Sequence, residues 1–295
     1  MNRTINPNRK IKTKKQNFPT NDNWRRFHRR KEKGFTIIEL LIALLITGIL
    51  VTAGYGVYIN QHEGWIIQEQ VTTMQQNVRA GMHELETKIR MAGYKLPGRL
   101  LEPIYAKNTN PDTIIVVFKN EMGCDATIEH DMPTPSSELR CDGHDVSCFH
   151  DDTWAYIYDP FADTGEFFFI TWVQTGSSHI QHNTMDLSRR YPQGSIVSYI
   201  DMFRFYIDQT DTNHPNLMEQ HVLETPLVYA ENIEDLQFQY GLANGVYVDV
   251  PPAASVVREV LISLVARTDK KDLQFAGEYR RRSLTSDVKI RNLGL

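Results

Sequence analysis

The sequence predicts an α+β protein, with one long N-terminal α-helix packed on an antiparallel β-sheet domain. Three observations predict it. Residues 35–59 form an almost unbroken apolar run, and apolar positions continue at helical spacing to residue 89. Gly93 then supplies a helix C-cap, and Pro97-Gly98 prevents continuation. Beyond them, β-branched and aromatic runs alternate with Gly, Pro, Asn and Asp, which is the pattern of strands joined by turns. A helix followed by a series of strands is the order expected of an α+β domain.

Charge divides the chain in two. Residues 1–33 hold twelve Lys or Arg against Asp22 and Glu32, and the remainder holds twenty basic and thirty-four acidic residues. The net charge of −4 therefore averages two opposed parts. A basic run alone reads as a solvated tail or a nucleic-acid arm. Placed directly before a membrane-length apolar segment, it reads as a cytoplasmic leader, with the C-terminal bulk across the inner membrane. The 25-residue run spans about 37 Å as a helix, enough to cross a bilayer. A secretory signal peptide has an apolar core of only about 7–15 residues. The segment is thus expected to be retained, with any cut before it.

The helix is expected from Phe35 to Ala92. Val71, Met74, Val78, Met82, Leu85 and Ile89 are spaced 3, 4, 4, 3 and 4 apart, one face of an amphipathic helix. Its first half is apolar all round, and its second half lays one stripe on a soluble domain. Gly48, Gly54 and Gly56 lower helix propensity, so a bend or melted turn is expected near them.

The strands follow in order. Thr113 to Phe118 comes after the turn former Asn110-Pro111-Asp112. Trp154 to Tyr158 and Glu166 to Val173 are aromatic-rich, and Ser195 to Ile207 is long enough for a bent strand. Ile233 to Leu242 and Val246 to Val250 flank Asn244-Gly245, a strong hairpin signal. Val256 to Thr268 is a further strand, and Phe275 to Leu284 with Ser286 to Leu293 is expected as a closing pair. The expected organisation is a leader over 1–34, a membrane helix over 35–59 and an amphipathic helix over 60–93. A globular domain over 94–295 follows, with a cysteine-containing insert near 120–152.

The junction of leader and helix reads Gly34-Phe35-Thr36-Ile37-Ile38-Glu39. Glu39 is the one formal charge in the apolar run, and a carboxylate there is costly unless it serves a function. The basic leader, the glycine, the phenylalanine and the glutamate five residues on resemble the processing site of type IV prepilins and of type II secretion pseudopilins. Lys88-Ile89-Arg90-Met91-Ala92-Gly93-Tyr94 resembles the close of the helix in PilW-type minor pilins. Residues 257–268 and 279–292 resemble their late strands. The resemblance implies that prepilin peptidase cuts between Gly34 and Phe35 and that Phe35 is N-methylated. It also implies that Glu39 pairs with the N-terminal amine of a neighbouring subunit. The implied partners are the peptidase, other minor pilins, the major pilin and the inner membrane, with no nucleic acid. The implied location is the inner membrane with a periplasmic C-terminal domain, then the extracellular pilus. The implied function is a minor pilin acting in pilus assembly or at the tip. A J-type pseudopilin is the alternative within this class, and a membrane-anchored periplasmic binding module the alternative outside it.

No enzymatic constellation is legible. G-x-S-x-G, G-x-x-x-x-G-K-[ST] and G-x-G-x-x-G are absent, and His83-Glu84 lacks the second histidine of H-E-x-x-H. His179 and His182 read as surface residues. The chain reads as a peptidase substrate without a cofactor. Cys124, Cys141 and Cys148 all fall in the exported part, where oxidation is permitted. Cys141–Cys148 is the first pairing to expect and Cys124–Cys141 the competing one. No metal site is expected, with Asp142, Asp145, Cys124 and His144 as the weak candidates.

Overall fold

The computed structural model describes residues 34–97, 101–119, 125–272 and 275–293. The chain divides into two units, Met1–Asn60 and Gln61–Leu295. Helix α1 (Ile37–Met91) runs without interruption through Gly48, Gly54 and Gly56, so the expected melted turn does not form. Leu, Ile and Ala around these glycines favour helix, and each glycine costs only about 1 kcal/mol.

Sixteen strands follow among the described residues: β1 (Ile104–Lys107), β2 (Thr113–Lys119), β3 (Asp125–Thr127), β4 (Leu139–Arg140), β5 (Thr153–Asp159), β6 (Thr164–Ile170), β7 (Trp172–Gln174), β8 (His179–Gln181), β9 (Ile196–Ser198), β10 (Ile200–Asp208), β11 (Asn216–His221), β12 (Leu227–Glu231), β13 (Ile233–Leu242), β14 (Tyr247–Val248), β15 (Val257–Arg267) and β16 (Arg281–Lys289). Their pairings are antiparallel, which bears out the α+β expectation. One sheet has the order β1-β2-β10-β11-β12 and a second the order β14-β13-β15-β16.

Within the second unit, α1 buries Met74, Val78, Gly81, Met82, Leu85 and Ile89. Alternate residues of β13 (Leu236, Phe238, Tyr240) and β15 (Val260, Ile262, Leu264, Ala266) join the same core, as the two-residue period of a strand requires. The helix comes close here because residue 81 has no side chain. A Cβ at Gly81 would stand 2.9 Å from Leu217 Cδ2 and 3.6 Å from both Ala230 and Leu264. Asp112 ties the two sheets together. Its N–H donates to Leu236 O at 2.8 Å, and its carboxylate accepts from Phe238 N and Thr109 N, each at 2.9 Å.

β2 and β10 are neighbours in the first sheet, with Lys119 opposite Ile200. The chain between them builds a subdomain of its own. Its strands form a β3-β9-β5-β6 sheet and a β4-β8-β7 sheet around a separate core that includes Ile128, Leu139, Phe149, Phe168 and Val197. The insertion thus extends to residue 198, beyond the expected 120–152.

Three strand expectations are corrected. Ser195–Ile207 is not one bent strand; it breaks at Tyr199, and its parts β9 and β10 join different sheets. Phe275–Leu284 and Ser286–Leu293 do not form a pair; a single strand, β16, runs along β15 from Arg281 opposite Arg267 to Lys289 opposite Glu259. No turn former separates Leu284 from Ser286. The turn lies upstream at Ala276 and Gly277, both at positive φ, where Gly277 N donates to Asp272 O at 3.0 Å. Glu166–Val173 breaks at Thr171, and its halves β6 and β7 join different sheets.

Candidate functional site

Gly34, Phe35 and Thr36 precede the helix, and the bond between Gly34 and Phe35 lies in exposed, non-helical backbone. Among the described residues, its chain neighbours apart, no heavy atom lies within 4 Å of where a Gly34 Cβ would stand, and Phe35 is 86 % exposed. Exposed backbone outside secondary structure is where proteolysis concentrates.

Thr36 is the N-cap of α1. Its carbonyl accepts the first helical bond, from Leu40 N at 3.2 Å. Glu39 N donates to Thr36 Oγ1 at 3.3 Å. Glu39 Oε2 accepts in return from Thr36 N at 2.9 Å and from Thr36 Oγ1 at 3.0 Å. This is a capping box, in which residues three apart satisfy each other's end groups. Its signal in the sequence is Thr36-Ile37-Ile38-Glu39, a threonine followed three residues later by glutamate at the head of an apolar run. A negative side chain in the first turn also complements the helix dipole.

From Ile37 to Asn60 every residue of α1 is exposed. Leu, Ile and Val cover all its faces, so a continuous apolar cylinder is left bare. α1 is the helix among the described residues that is long and apolar enough to cross a membrane. Of the two threonines in mid-run, Thr47 and Thr52, the second is satisfied within the helix, since Thr52 Oγ1 donates to Gly48 O at 2.8 Å. In hydrocarbon such groups have no water to turn to. Tyr55 and Tyr58 stack 6.5 Å apart near the end of the run, the place where amphipathic rings suit a membrane interface.

The remaining candidates lie in the inserted subdomain. Cys141 is free and buried, so neither Cys141–Cys148 nor Cys124–Cys141 forms. Its place in the second core explains why: with Leu139 and Val146 it packs as a small hydrophobe. Burial pushes its thiol up to about 12, helped by the charges of Asp142 and Glu129. Cys148 is disulfide-bonded. The sequence holds one further cysteine, Cys124, which lies outside the described residues.

Asp142 accepts from His179 Nε2 and His130 Nε2, each at 3.0 Å, with Arg140 at 3.4 Å. Its hydrogen bonds and cationic neighbours outweigh desolvation and hold its carboxyl below the usual range. His144 turns away to Glu129 at 2.9 Å, and Asp145 accepts from Ser147 N at 2.9 Å. Among the described residues no three His, Cys, Asp or Glu side chains are arranged to hold a metal ion. His182, expected at the surface, is buried between the carbonyls of Met185 and Ser137 at 2.9 and 2.8 Å.

Residues 29–55 match the family model described as the prokaryotic N-terminal methylation motif. No curated protein and no solved structure matches the chain. The motif and the apolar helix support a membrane-anchored, type IV pilin-like or pseudopilin-like chain that carries a prepilin-type processing segment.

Proposed function

We propose that this protein is a minor pilin of a type IV pilus, of the PilW type, acting in the initiation of assembly or at the tip. The observation that carries the proposal is an uncovered apolar helix headed by an exposed Gly34-Phe35 bond and continuous with a large β-rich domain. Prepilin peptidase cuts that bond and methylates the new amine of Phe35. Before assembly the leader is cytoplasmic and the β domain periplasmic, as the charge asymmetry favours. In the fibre the helix exchanges lipid for the helices of other pilins.

Glu39 then has two tasks. One oxygen closes its own helix through Thr36, and the carboxylate as a whole attracts the Phe35 amine of the next subunit. In a dry bundle such a pair is far stronger than in water. The PilW-like close of the helix supports the reading by its local work. Ile89 and Ala92 are buried, and Gly93, at φ +77°, donates its N–H to Val117 O at 2.9 Å. These residues fasten the helix to the sheet beneath it.

The N-terminal motif equally suits a J-type pseudopilin, and presence of the chain in sheared pili separates the two. The first test is the N-terminal mass of protein taken from its own cell envelope. A chain beginning at N-methylated Phe35 is expected. An intact leader, or a cut beyond Ile59, overturns the proposal. Gly34→Leu is expected to accumulate as an uncut precursor, because a branched side chain obstructs the backbone at the cut.

A further inference from the structure

Beside α1 lies a pocket of about 200 Å³. Glu63, Ile66 and Gln70 line it from the helix, and Lys270, Lys271 and Arg280 from the turn between β15 and β16. The turn holds its shape by its own bonds. Thr268 N donates to Arg280 O and Asp272 N to Glu278 O, each at 2.9 Å. Arg280 Nε and Nη2 donate to the Asp272 carboxylate at 2.7 and 2.6 Å. Lys270 N donates to Gln70 Oε1 at 3.3 Å and ties the turn to the helix.

Arg280 and Asp272 neutralise each other, and Asp269, next to Lys270, is turned to His214 at 3.4 Å. Glu63, Lys270 and Lys271 are exposed, and among the described residues none of the three is ion-paired. The pocket thus presents one free carboxylate on the helix and two free ammonium groups on the turn, with apolar Ile66 beside them. A ligand that fits carries an anionic group, a cationic group and hydrocarbon in one molecule. A free phosphate ion matches the lysines alone. The setting favours phosphate as the anion. Residues 34–295 hold twenty basic and thirty-four acidic side chains, yet 267–282 holds six basic and three acidic. A domain whose field repels a phosphate surface reverses its sign at this turn.

The level of the pocket along α1 names the source of such a ligand. The apolar run ends at Ile59, and Glu63 and Gln70 follow by four and eleven residues of unbroken helix, about 6 and 16 Å of rise. The headgroup layer on each side of a bilayer is about 5–8 Å thick. With residues 35–59 in hydrocarbon, Glu63 stands among the headgroups and Gln70 just above them. Trp65, between the two, is 58 % exposed, as an interfacial ring is. Lysine side chains reach several ångströms toward such a layer while keeping their charge in water.

We propose that this pocket binds the headgroup of a phospholipid in the membrane from which α1 emerges. The phosphate lies against Lys270 and Lys271 and an ammonium group against Glu63, the pattern of a phosphoethanolamine headgroup. The proposal rests on the membrane-anchored reading of α1; the charge pattern of the pocket does not.

The test uses the full-length protein reconstituted into vesicles of equal phosphatidylethanolamine and phosphatidylglycerol. Flotation of the vesicles is followed by native mass spectrometry of the protein with the lipid it retains. Retention of phosphatidylethanolamine in several-fold excess over phosphatidylglycerol is expected. Lys270→Gln with Lys271→Gln alters two exposed side chains and no backbone bond, so the fold is kept. It is expected to lower the retained lipid about tenfold or more. Glu63→Gln is expected to keep the lipid and lose the preference. Lys107→Gln with Lys289→Gln, two exposed lysines elsewhere, is expected to change neither. Equal retention of the two lipids by the unaltered protein overturns the headgroup assignment. Undiminished retention in the Lys270, Lys271 variant, or an equal loss in the Lys107, Lys289 control, overturns the pocket. Protein that does not float with the vesicles defeats the membrane-anchored reading and the site with it, whereas floating protein without the retained lipid defeats the site alone.

Discussion

From Ile37 to Ile59, α1 carries apolar side chains on every face and all are exposed, whereas from Met74 to Ile89 it carries one apolar row and that row is buried. The backbone conformation is the same in both halves. The difference shows two ways of making a helix worth forming. In the second half the stripe packs on sheets, and tertiary burial supplies the stability that propensity alone does not. In the first half nothing among the described residues covers the side chains. A helix is still required there, because hydrocarbon offers backbone groups no partner but one another. The first half is therefore specified for a non-polar surrounding, the second for this protein's own sheets.

The largest expected effect breaks the comparison directly. Leu85 is fully buried, and Leu85→Ala is expected to destabilise the β domain by about 2–5 kcal/mol. Leu45, 64 % exposed, is expected to show no such loss as Leu45→Ala. Denaturant titration of both full-length variants in detergent measures this, and equal losses would abolish the distinction between the halves.

The next test sharpens what the head of the first half does. Thr36→Ala removes the capping hydroxyl and is expected to cost about 1 kcal/mol of helix stability while leaving piliation near normal. Glu39→Val is expected to be cut normally yet to assemble poorly. Equal piliation in the two variants would reduce Glu39 to its capping role.

Two smaller effects belong to the sheet-bound part. Cys141 is expected to resist alkylation in the folded protein and to react after unfolding, because its thiol is buried and raised to about 12. Peptide mapping without reductant should find Cys148 in a disulfide and Cys141 outside it.

His221 donates to Asp201 at 2.9 Å, and this bond, with help from Glu224, raises its pKa above 6.5. Since the folded value is the higher one, the stabilisation is fully present below about pH 6.5 and fades as pH rises through the folded pKa. His221→Gln is expected to flatten that slope. An NMR titration placing His221 below 6.5 would contradict it.

Much of the fold was legible because its signals are local. The 3-4 spacing from Val71 to Ile89 named the buried face, and Asn244-Gly245 named the β13–β14 hairpin, where Gly245 sits at φ +80°. β11 and β12 passed unseen, because Asn216–His221 mixes polar and apolar residues and β12 exposes most of its side chains. The closing pair was misplaced because two apolar stretches resembled two strands, when one continuous strand along β15 makes the longer ladder. At the candidate site, Gly34, Phe35 and Glu39 stood out by charge and position. The capping partner Thr36 carries no charge and stands out only through the Thr-x-x-Glu spacing that it shares with Glu39.

Composition and periodicity by themselves determined the long helix, its change of character after Ile59, the β-rich remainder and the motif at Gly34-Phe35. These depend on residues within a few positions of one another. Only the tertiary structure decided that Cys141 is a core thiol. It also decided that the insertion closes on its own core between β2 and β10, and that Glu63 of α1 shares a pocket with Lys270 and Lys271. Each of these depends on which distant segments pack together, and that is settled by the shared burial of side chains far apart in the chain.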